Sequence, residues 1–112
     1  MNLVSLDELS FSTFKELLNG RFRVEVAPAT VAELELIEAE FIGEAAKDKA
    51  TVPKHESFSL VFSGHANHRL TQRTYRFSHE RIGAFELFIV PIAVEKGMIR
   101  YQAVFNRRLH SE

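Results

Sequence analysis

Residues 20–28 read Gly-Arg-Phe-Arg-Val-Glu-Val-Ala-Pro, and within them the spacing of apolar residues changes from helical to alternating. Phe22, Val24 and Val26 fall on one side and Arg21, Arg23 and Glu25 on the other, the pattern of a half-buried strand stopped by Ala27-Pro28. Upstream the period is helical. Glu16 follows Thr13 by three residues as in a capping box, and Asn19-Gly20 supplies a stop, so a helix is predicted over 12–19. Its face of Phe11, Phe14, Leu17 and Leu18 is too short to be stable alone and must cover an apolar surface.

Downstream, residues 31–42 admit two readings. Glu33, Glu35, Glu38 and Glu40 with Leu34, Leu36 and Ile37 suit a helix by propensity, whereas Glu33-Leu34-Glu35-Leu36 alternates like a strand. A strand over 32–41 is preferred, because the change of phase at Leu36-Ile37 resembles a bulge on an edge strand guarded by its glutamates. Residues 43–55 carry no apolar period and read as a solvated loop. Alternation returns over 57–63, 73–79, 84–91 and 98–106. The stretch from Phe85 to Val90 is apolar on nearly both faces, which reads as a central strand ended by Pro91. Connections bearing Gly64, Gly83 and Gly97 give the spacing of an antiparallel meander. The predicted fold is a single α+β domain over 1–112, mainly β. Its five or six antiparallel strands form a curled sheet or small barrel, capped by the N-terminal helix. Its core candidates are Phe14, Phe22, Phe58, Leu60, Phe62, Phe85, Leu87, Ile89 and Phe105.

The chain's 112 residues suit one domain, and at 46% hydrophobic and 26% charged it has globular composition. Ten Phe and no Trp point to a core of phenyl rings. The absence of cysteine removes disulfides and thiolate chemistry. No window approaches the ~18 apolar residues of a membrane span, and the N-terminus lacks the features of a secretory signal, so a cytoplasmic protein is expected. The net charge of -1 hides an asymmetry: residues 1–50 carry five Lys or Arg against ten Asp or Glu, and residues 51–112 carry nine against five. Acidic and basic strands pairing across the sheet account for it most simply.

Several stretches resemble a family of small bacterial domains of unknown function: Phe58-Ser59-Leu60-Val61-Phe62-Ser63-Gly64, Leu70-Thr71-Gln72-Arg73-Thr74-Tyr75, Leu87-Phe88-Ile89-Val90-Pro91 and Tyr101-Gln102-Ala103-Val104-Phe105-Asn106. The Thr13-Phe14-x-x-Leu17 helix followed by Arg21-Phe22-Arg23-Val24 is similar too. The resemblance implies an accessory or assembly role beside phage-tail-like components. This chain departs from the pattern at Arg73, where Gly is common before Thr-Tyr, and at Gly64-His65-Ala66-Asn67-His68, where a Gly-Pro-Ala-Asp-like loop is typical.

His65, His68 and His79, with His55, form the weak metal-ligand set. His65 and His68 stand three apart in an expected turn with no carboxylate between them, which suits exposed imidazoles better than a zinc or nickel site. Arg69, Arg73, Arg76 and Arg81 form the candidate interaction set. Tyr75 and Phe77 interleave with them as in a single-strand-binding sheet. If those rings are core, however, Arg76 alone faces outward, and a sequence pI near 6.5 is short of a nucleic-acid footprint. No phosphate loop, nucleophile elbow or His-Glu-x-x-His helix is present, and the four glutamates of residues 33–40 read as a solvated edge. Tyr75 and Tyr101 read as core tyrosines with satisfied hydroxyls. The expected function is a non-enzymatic protein-interaction or accessory module without cofactor, partnered by protein rather than membrane or nucleic acid. The alternative is a small-ligand or metal-binding barrel using the loop histidines. A third reading is self-association through the edge of residues 31–42.

Overall fold

Alternating apolar residues can bury one face of a strand only against another layer or against the far wall of the same sheet, and here the sheet closes on itself. The computed structural model describes residues 3–42 and 55–108. A 3-10 turn at Leu6–Glu8 leads into helix α1 (Phe11–Glu16). Six strands follow: β1 (Arg21–Ala27), β2 (Thr30–Phe41), β3 (His55–His65), β4 (Arg73–His79), β5 (Gly83–Glu95) and β6 (Met98–Arg108). All pair antiparallel in the order β1-β2-β3-β6-β5-β4, and β4 returns to β1 through Arg23↔Ser78, Val24↔Phe77 and Glu25↔Arg76. The fold is therefore the mainly β arrangement predicted, realised as a closed six-stranded barrel with one short helix at its N-terminus.

The barrel is too narrow to be hollow, and inward side chains fill it. Phe22 stands edge-on to Phe62 at 5.4 Å, Phe77 stacks with Phe85 at 5.8 Å, and Phe58 stacks with Phe105 at 4.4 Å between ring centroids. All nine expected core residues are buried. Among the described residues, apart from Tyr75 and Tyr101, no side chain with a polar or charged group is buried with them. The two tyrosines satisfy their hydroxyls at the barrel's lower end, where the β3–β4 connection crosses: the Leu70 amide donates to Tyr101 Oη at 3.0 Å, and Tyr75 Oη donates to the Thr71 carbonyl at 2.9 Å.

α1 closes the opposite, upper end. Between β5 and β6 the ladder runs only from Val90↔Gln102 to Glu95↔Met98, so residues 83–89 pair with β4 and residues 103–108 with β3, and the two walls part. Phe14 fills the gap, 5.9 Å from Phe85, 6.2 Å from Phe58 and 5.6 Å from Phe105. Main-chain bonds hold this cap on two sides. Val4 N–H donates to Ala84 at 2.7 Å, and Asn19 N–H donates to Leu36 at 2.7 Å.

Five expectations change. The helix begins one residue earlier than 12–19 and ends three residues sooner, and Ser10, not Thr13, is its N-cap: Ser10 Oγ accepts from the Thr13 amide at 3.2 Å. The strand over residues 31–42 does carry its bulge, with register shifting between Leu36 and Glu38, but it is no edge, since β1 and β3 flank it. That pairing also removes it as a self-association edge. Pro91 does not end its strand. β5 continues to Glu95 because a bulge between Pro91 and Ala93 accommodates the missing N–H. Gly64 lies inside β3 rather than in a connection. Of the loop expected over residues 43–55, residues 43–54 lie outside the described residues, and His55 begins β3.

Candidate functional site

The candidate residues are dispersed by the strands that carry them. His65 ends β3 and His68 ends the adjoining 3-10 turn (Ala66–His68), both exposed at the lower end. His79 sits at the upper end of β4, six residues beyond Arg73, or roughly 20 Å of extended chain. It packs on Phe22 at 4.8 Å, and its Nδ1 accepts from the Arg81 amide at 3.0 Å. The proposed imidazole set is thus not assembled, and no group of three potential metal ligands occurs among the described residues. The side chain of His55 lies outside the described residues.

The arginines likewise do not converge. Arg69 follows the 3-10 turn, Arg73 opens β4 with its guanidinium 4.6 Å over the Tyr75 ring, and Arg81 belongs to the upper β4–β5 turn. Tyr75 and Phe77 are core and Arg76 faces outward, so stacking rings are not offered to a nucleic acid. Arg76 meets Glu25 across the β1–β4 seam at 3.8 Å, and Arg81 meets Glu16 at 3.9 Å, each joining the basic half of the chain to the acidic half. Arg21–Glu33 (3.4 Å) and Arg100–Glu95 (3.1 Å) are pairs within one half, so the charge asymmetry is only partly consumed across it. All four pairs are solvent-exposed and contribute little to stability. The bulge keeps Glu33, Glu35, Glu38 and Glu40 on the outer side of β2 while Leu34, Leu36 and Ala39 stay inside.

Two features emerge that the sequence reading did not single out. A groove of about 620 Å³ on the outer wall is lined by Arg21, Arg23, Glu33, Ser78, His79, Glu80, Gly83 and Ala84. The Arg23 guanidinium makes no hydrogen bond or ion pair among the described residues, but the lining carboxylates make the groove mixed in sign. The second feature is apolar. Phe88 on β5 and Val104 on β6 are 49% and 60% exposed on the two walls that part above Val90↔Gln102. Ile92 and Val94 are exposed lower on β5. The signal was present in Phe85 to Val90. In an antiparallel barrel a strand's second face meets water, so an apolar residue out of phase with Phe85, Leu87 and Ile89 is exposed rather than central.

A closed antiparallel barrel with a ring-filled interior and a helical plug is the class these features define. The chain belongs to the family described as a domain of unknown function, DUF6916, whose model matches residues 9–105. That span takes in the plug, strands β1 to β5, and β6 as far as the buried Phe105. No curated protein matches the chain. No solved structure matches it either. Among the described residues no helix is long and apolar enough to cross a membrane.

Proposed function

We propose that this protein is a non-enzymatic interaction module, an accessory or structural component of a phage-derived or secretion-like assembly. The observation that carries the reading is the apolar outer surface where β5 and β6 part, with Phe88 and Val104 about half exposed or more. A core of close-packed rings leaves recognition to the outer wall. Exposed apolar side chains there fit a protein partner, since contiguous apolar surface on a soluble domain marks interaction sites. The assembly context follows the family resemblance of the Leu87–Pro91 and Tyr101–Asn106 stretches. Affinity purification from cells of the source organism tests the reading, with Phe88→Asp/Val104→Asp as the control. A partner retained by the wild type and lost by the folded variant supports it. Equal recovery on both, or no partner with either, contradicts it.

A further inference from the structure

β5 changes partner partway along its length. Residues 83–89 pair with β4 and residues 90–95 with β6, so above Val90↔Gln102 the strand has no ladder partner on its second side among the described residues. Successive residues of a strand turn their main-chain groups to opposite sides. The Ala84 carbonyl points into the seam, where it accepts from the Val4 amide at 2.7 Å, and the amides and carbonyls of Glu86 and Phe88 therefore point the same way. This stretch of edge is bounded, because Val4 takes the place at Ala84 and Gln102 the place at Val90. Residues 85–89 remain, roughly 17 Å of extended chain. On the inner side the Phe14 ring lies between the walls, 5.9 Å from Phe85 and 5.6 Å from Phe105, as the inward side chain of an intervening strand would. The helix supplies that ring without supplying a strand's main chain. On the outer side Glu86, Phe88 and Val104 are exposed. The Glu86 carboxylate makes no ion pair among the described residues, and Arg76, its cross-strand neighbour, turns to Glu25 at 3.8 Å.

We infer that this edge of β5 receives a short extended strand of a different protein, with a lysine or arginine opposite Glu86 and an apolar residue two positions away against Phe88. The inference rests on the function proposed above and deepens it, since the strand would lie on the same Phe88–Val104 wall. The main chain selects the shape of the occupant. Two amides and two carbonyls in line are met by an extended peptide, whereas a helix spends its own groups internally. Charge selects whose strand it is. A second copy pairing here about a two-fold axis sets Glu86 against Glu86 in one register and against Phe88 in the other, and neither brings a cation to the carboxylate. A basic residue on a partner strand makes that rung favourable.

Nuclear magnetic resonance titration of the full chain tests it, using the end-capped peptide Thr-Val-Thr-Lys-Thr-Val-Thr, whose lysine and valines share one face when extended. In millimolar excess the peptide should shift the amides of residues 84–88 and slow hydrogen exchange at Glu86 and Phe88. A peptide with glutamate in place of the lysine should bind about fivefold more weakly. One N-methylated at the lysine and the second valine keeps every side chain but loses two donors, and should bind at least about tenfold more weakly. Glu86→Lys should reverse the preference between the lysine and glutamate peptides. The inference is overturned by the absence of shifts at residues 84–88, by equal affinity for the N-methylated peptide, or by a preference that Glu86→Lys leaves unchanged. Protection of the Glu86 and Phe88 amides that grows with protein concentration in the absence of peptide would make a second copy the occupant and overturns it too. If the peptides fail while a partner is still captured through Phe88 and Val104, strand addition alone falls and the interaction module stands.

Discussion

Gly64 shows most sharply what a single residue does here. It sits buried on β3 with Leu34 and Tyr101 against it, and a Cβ at this position would meet Leu34 Cδ2 well inside van der Waals contact. Gly64→Ala should therefore overpack the lower barrel and cost about 1–3 kcal/mol, read as a lower denaturation midpoint with unchanged m-value. No loss would show that Leu34 repacks freely. In sequence this glycine reads as punctuation, because a glycine closing an alternating run looks like a turn. Its true role depends on a side chain thirty residues earlier in the chain, which no local pattern displays. The core rings were legible for the opposite reason, since two-residue parity marks inward positions directly. Phe88 obeys the same parity and faces out, but its meaning depended on knowing that water lies on that side.

Among the elements, α1 has an importance out of proportion to its six residues. Propensity cannot hold so short a helix, so it persists by burying Phe14 where β5 and β6 part. Phe14→Ala should cost about 3–5 kcal/mol in denaturant unfolding and, where the protein stays folded, speed amide exchange in residues 83–89 and 103–108 above other strand segments. A uniform change across the barrel would mean that the ring is ordinary core and not a plug. The helix face was readable from Phe11, Phe14, Leu17 and Leu18, but its start was misplaced because Ser10 and Thr13 are both competent caps. The β2 bulge was legible because two glutamate pairs, 33/35 and 38/40, stand out of phase. That β2 is flanked on both sides was not, since its β3 partner lies beyond residues 43–54 in the chain.

For the molecule as a whole, closure governs everything else. It fills the interior with rings, removes the edge of β2, separates His65 and His68 from His79, and spreads Arg69, Arg73, Arg76 and Arg81 over both ends and the wall. The proposed recognition is thereby confined to outer surfaces. Alternation alone could not choose between a curled sheet and a barrel, because the closing ladder is only three residue pairs long and joins strands fifty residues apart. Cross-strand nuclear Overhauser effects at that seam are the most direct test. The barrel predicts contacts linking Arg23, Val24 and Glu25 with Ser78, Phe77 and Arg76, alongside those of the other ladders. Effects present across every other strand pair and missing between β1 and β4 would mean an open sheet with two free edges, and would contradict the account.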